Sequence, residues 1–102
     1  MIRVTIKRES QAIKEITIKG HANFSNFGSD IVCASVSSIV ITSVNAMLRV
    51  NETCLKYQEE NGYLNLKVLK ENHIIEILII NMIELLKELE QKYPKNIIIR
   101  EG

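Results

Sequence analysis

Leu55-Lys56-Tyr57-Gln58-Glu59-Glu60-Asn61-Gly62-Tyr63-Leu64-Asn65-Leu66-Lys67-Val68 is the stretch whose reading decides the fold. Leu55 and Tyr57 share one parity before Asn61-Gly62; Leu64, Leu66 and Val68 share one after it. A period of two marks a half-buried strand, and Asn-Gly between two such runs is a strong hairpin signal. An antiparallel pair with one apolar face needs a second layer to cover that face.

The flanking segments supply that layer. Asp30 to about Val50 carries helical spacing, with Ser29 or Asp30 suited to cap it. A second helix is predicted from about Asn72 to Lys92, ending before Pro94 because the residue preceding proline disfavours helix. Ile97-Ile98-Ile99 reads as a short last strand. Near the start, Ile2, Val4 and Ile6 alternate with Arg3, Thr5 and Lys7, and Ile16 and Ile18 alternate with Glu15, Thr17 and Lys19. The polar segment around Glu9 to Ala12 joins these two runs as a hairpin, and residues 20–29 read as a loop. The expected fold is therefore α+β: one domain over residues 1–102, in the order strand-strand-helix-strand-strand-helix-strand. Its sheet is mainly antiparallel, with both helices packed on one face. Ile31, Val32, Val36, Ile39, Val40, Val44 and Leu48 spread over more than half of the first helix, and the isoleucine-rich second helix is similar. One sheet face cannot cover all of that surface, so a homodimer burying the excess is expected.

Composition narrows the function. Thirteen Lys and Arg against twelve Asp and Glu leave a net charge of +1, and the charges are interspersed. Binding nucleic acid calls for a concentrated basic face, which this pattern does not offer. Residues 1–7 lack the apolar core of a signal peptide, and the apolar run Ile74 to Leu86 is broken by Glu76, Asn81 and Glu84. Neither membrane association nor export is expected. Two cysteines in such a chain read as reduced thiols of a cytoplasmic protein.

Cys33 falls in the first turn of the predicted first helix, where free N–H groups and the macrodipole favour a thiolate and could hold an oxyanion. His21, preceded by Gly20, ends the second strand and could reach that sulfur where the loop folds back, as a Cys–His pair requires. Asp30, Cys33 and Ser37 are spaced to share one helical face. Asp30 could orient His21 or simply cap the helix. Ser37 could bond within the site or to its own backbone. Phe24 and Phe27 could anchor the loop or form a lid over an apolar peptide, with Gly28 providing the bend. Cys54 shares its parity with Lys56 and Gln58 and has no evident partner, and His73 reads as a solvent-facing residue at a helix entry. Two cysteines and two histidines without paired spacing make a poor zinc site, so no metal is expected.

Gly20-His21-Ala22, then Gly28-Ser29-Asp30-Ile31-Val32-Cys33-Ala34 and Val36-Ser37, with Val44-Asn45-Ala46 beyond, resembles the signature of the Prp family of ribosomal-processing cysteine proteases. The resemblance extends in length and element order over the whole chain; Ser35 stands where relatives often carry alanine or glycine. It implies a small cytoplasmic homodimer that removes a short N-terminal extension from a large-subunit ribosomal protein, cutting after an aromatic pair. By motif position, His21 would be the catalytic histidine and Cys33 the nucleophile. Asp30 and Ser37 would support them, and no cofactor is implied. A different class remains open on the residues alone: a non-catalytic ribosome-assembly module that binds through the same cleft and tolerates loss of the thiol.

Overall fold

The computed structural model describes residues 1–20 and 27–102, and for residues 27–30 the backbone only. The described elements are β1 (Ile2–Glu9), β2 (Ala12–Lys19), α1 (Phe27–Val50), β3 (Leu55–Glu60), β4 (Tyr63–Val68), α2 (His73–Lys92) and β5 (Ile97–Glu101). The strands form one sheet in the order β3-β4-β2-β1-β5. Three of its pairings are antiparallel, and β5 runs parallel to β1. The α+β class and the element order are those expected.

Period-two patterning places Ile2, Val4, Ile6, Ile16, Ile18, Leu66 and Val68 in the core, on the inner face of the sheet. The turn between β1 and β2 is Ser10-Gln11, both in the left-handed region with φ of 51° and 71°. Positive φ at both central residues matches the twist of a two-residue hairpin, although neither residue type favours it. One departure from parity matters. Lys7 pairs with Glu15 but Arg8 pairs with Ile13, which leaves Lys14 as an extra residue in β2. This bulge lets Ile13 and Ile16, three apart in sequence, both point into the core.

Val32, Val36, Val40 and Val44 recur every fourth residue along α1 and join Met47 in the core. The facing stripe of α2 is Ile75, Ile79, Met82, Ile83, Leu86 and Leu89. Asn72 caps α2 through its side-chain oxygen, which accepts the Ile75 N–H at 2.9 Å. Such a cap stabilises by roughly 1 kcal/mol. The helix ends before Pro94, as its sequence requires. Residues Ile31–Val50 are long and apolar enough to cross a bilayer, more so than the run Ile74 to Leu86 singled out above. In this fold the valine stripe of that helix is covered by the sheet and α2.

Two expectations need correction. Helix α1 starts at Phe27 rather than near Asp30, so Phe27, Gly28 and Ser29 belong to its first turn and not to a loop. Asp30 and Ser29 are then interior helical residues and cannot be its N-cap. Cys54 does not follow the polar parity of Lys56 and Gln58. It precedes β3, is fully buried, and its thiol donates to the Met47 carbonyl at 3.5 Å. Strand parity carries no information before the strand begins.

Candidate active site

The end of the sheet that meets the start of α1 is built from three chain segments. Gly20 closes β2 with φ of +109°, and its N–H donates to the Gly62 carbonyl at 3.0 Å. A Cβ at Gly20 would lie 2.3 Å from the Met1 carbonyl oxygen. Only glycine tolerates both the dihedral and the approach. Residue 20 is thus clamped between the start of β1 and the β3–β4 turn. The register Lys19↔Tyr63 between β2 and β4 brings that turn there.

Cys33 is half-buried on the flank of α1 beside this junction. It opens into a cleft of about 520 Å³ lined on one side by Cys33, Val36, Ser37 and Ile41. The opposite wall is the hairpin end from Glu59 to Leu64, and Ile2, Ile18 and Gly20 complete the lining. Glu59 is held in place by the Tyr57 hydroxyl, which donates to its Oε2 at 2.8 Å. Burial, together with that carboxylate, pushes the Tyr57 phenol up to about 12. Glu59 and Glu60 are the carboxylates of the cleft wall among the described residues.

The structure thus brings Cys33, Ser37 and Gly20 together. His21 and Phe24 lie outside the described residues, as do the side chains of Phe27 and Asp30. Because α1 starts at Phe27, Cys33 is in its second turn. Among the described residues, the N–H groups without intrahelical partners are those of residues 27–29, one turn before the thiol. The macrodipole fades within the first turn, so the helix start offers Cys33 less than its expected first-turn position would. His73 is exposed at the first position of α2, as expected. The far wall of the cleft, including Glu59 and Tyr63, was not evident from sequence, nor was the place of Ile41 beside Cys33 and Ser37 on the near one. Asn61-Gly62 marks the hairpin, but only the pairing of β4 with β2 reveals that its tip faces Cys33.

A thiol on the wall of an open, partly apolar groove is accessible to a substrate, as a thiol nucleophile must be. Comparison with known proteins agrees. The family model for cysteine protease Prp matches residues 1–98. The ribosomal processing cysteine protease Prp of Bacillus subtilis is 32% identical, covering 95% of this chain and 94% of its own. Its counterpart from Staphylococcus aureus is 25% identical over 94% and 92%. In fold, the chain is similar to the crystal structure of the ribosomal processing protease Prp from S. aureus in complex with a substrate peptide. The TM-score is 0.92 at 24% identity, with both chains fully covered. The same protease with a covalently linked product peptide gives 0.90. The chain belongs to the Prp family of cysteine proteases. Its class is therefore peptide hydrolase, which decides against the non-catalytic module.

Proposed function

We propose that this protease removes a short, apolar N-terminal extension from a large-subunit ribosomal protein, cutting after an aromatic pair, with Cys33 as nucleophile and His21 as acid–base partner. The observation that carries this reading is the half-buried thiol of Cys33 on the wall of an open groove. The relatives named for ribosomal processing support the substrate class.

In the proposed mechanism His21 takes the Cys33 proton and the thiolate attacks the scissile carbonyl, forming a C–S bond. N–H groups at the start of α1 stabilise the oxyanion. The intermediate collapses, the C–N bond breaks, and the imidazolium hands its proton to the leaving amine. Water then attacks the thioester with His21 as base; the carbonyl–sulfur bond breaks and the proton returns to the thiol. With Cys33 set back from the helix start, activation of the thiol rests mainly on the histidine. Asp30 is an interior helical residue one turn before Cys33, so its expected role as a cap gives way to one supporting the pair; Ser37 lines the same wall. Side chains, backbone N–H groups and water carry these steps, without a cofactor.

The enzyme acts in the cytoplasm as a homodimer, without direct contact to nucleic acid or membrane. Ile74, Ile77 and Ile80, exposed along one side of α2, supply apolar surface for the second copy. Sedimentation as a strict monomer at micromolar concentration would remove the dimer.

Incubation with a peptide bearing an apolar, double-phenylalanine extension, read by mass spectrometry beside Cys33→Ala, tests the central reading. One cut after the aromatic pair, lost in the variant, is expected. Normal turnover by Cys33→Ala overturns the nucleophile assignment. Preferential alkylation of Cys33 over Cys54 is not diagnostic, because Cys54 is fully buried. Loss of activity on alkylation is.

A further inference from the structure

Cys33, Ser37 and Ile41 form a single stripe, each four residues after the last, along the α1 wall of the cleft. Ile41 is 46% exposed, although it sits next to the fully buried Val40. A lone exposed isoleucine is ordinary on a protein surface. This one lies on the wall of the groove that contains the thiol. Eight residues of helix advance about 12 Å, and an extended peptide advances about 3.3 Å per residue. A substrate side chain over Ile41 is therefore about three or four residues from the bond held at Cys33.

The strand flanking this groove is also suited to an extended chain. Among the described residues, β3 is an edge strand with no strand paired beyond it. Glu60 and Tyr63 flank the two-residue turn as partners. Partners that flank a two-residue turn are hydrogen-bonded to each other, and the pattern alternates from there. Gln58 and Lys56 then turn their backbone groups towards β4, whereas Tyr57 and Glu59 turn theirs outward. The opposite edge of the sheet is treated differently: the Ile99 N–H of β5 is stoppered by Glu90 Oε2 at 2.7 Å. Addition of a strand to an open edge is a common way to bind an extended peptide.

We propose that the substrate lies extended in the groove between α1 and β3. Its backbone pairs with the outward groups of Tyr57 and Glu59, and Ile41 receives an apolar side chain three or four residues before the scissile bond. This rests on Cys33 being the nucleophile and on an apolar segment preceding the cut. The carboxylates of Glu59 and Glu60 on the facing wall reject acidic residues in that segment.

Peptides differing only by leucine or serine at the third or fourth residue before the cut test the subsite, each assayed with wild type, Ile41→Ser and Cys33→Ala. Wild type should favour leucine at one of these positions by roughly tenfold or more in kcat/KM, the range for one apolar contact. The difference should lie mainly in KM, and Ile41→Ser should collapse it. An unchanged preference in Ile41→Ser, or none in wild type, overturns the subsite. N-methylation of the peptide amides, one at a time, should raise KM at alternate positions if the backbone pairs with β3. Uniform tolerance overturns that pairing. Cutting by Cys33→Ala sinks the underlying assignment instead, so the two failures are distinct.

Discussion

Replacing Gly20 by alanine perturbs the junction at a position where two costs can be worked out separately. The residue has φ of +109°, a conformation that costs a side chain-bearing residue about 1–3 kcal/mol. Its new Cβ would stand 2.3 Å from the Met1 carbonyl oxygen, so one of the two backbones must move by several tenths of an ångström at least. Neither is free to do so. The next residue, Ile2, is 3% exposed and its N–H donates to the Asn96 carbonyl at 2.8 Å. On the other side Gly20 is tied to Gly62 at 3.0 Å. Overpacking of this kind adds about 1–3 kcal/mol, for a total of about 2–6 kcal/mol. A domain of this size loses about 4–8 °C in Tm per kcal/mol, so thermal unfolding followed by circular dichroism should shift down by about 8 °C or more. Because His21 is the next residue, kcat should also fall, measured well below the lowered Tm. A Tm within about 3 °C of wild type would refute the reasoning, since the threshold for 1 kcal/mol is about 4 °C.

Replacing Ser10-Gln11 by Asn-Gly should raise stability by roughly 0.5–1 kcal/mol in urea unfolding, because both positions are left-handed and these residues adopt that conformation at low cost. Tyr57→Phe should abolish a late phenol ionisation in an absorbance titration, that of the hydroxyl pushed up to about 12 by burial and by Glu59. The folded phenol holds its proton above the ordinary value of 10.0, so its contribution is complete below pH 10 and is lost as pH rises towards 12. Tyr57→Phe should accordingly lose stability less steeply across that window. Asn65 is 4% exposed and donates to Glu15 at 2.8 Å and Thr17 at 3.0 Å across the outer sheet face. Asn65→Ala should cost about 1–3 kcal/mol by the same unfolding assay.

Much of the fold was legible because its signals are local. Asn61-Gly62, the alternation around it, the Asn72 cap and the Pro94 stop each act within a few residues. The start of α1 was not, because Ser25, Asn26, Ser29 and Asp30 are all capping types and preference alone cannot choose among them. Ile13 stood off the parity of Ile16 and Ile18 until the bulge at Lys14 accounted for it. In the site, Cys33 and Ser37 were found from their spacing along one helix. The opposing wall escaped because it depends on which strands become neighbours. That choice is made by pairing over more than forty residues, as between Lys19 and Tyr63.

The burial of Cys54 gives the molecule an internal gauge of its own opening. Its sulfur sits behind the end of α1, 0% exposed, and burial raises the thiol above its ordinary value. A thiol reagent meets one accessible sulfur in the native protein and a second only when the turn after α1 leaves the sheet. Once Cys33 is blocked or replaced, the slow labelling of Cys54 counts those excursions. Its rate, set against that of an unfolded peptide, gives the free energy of opening without denaturant or any added probe.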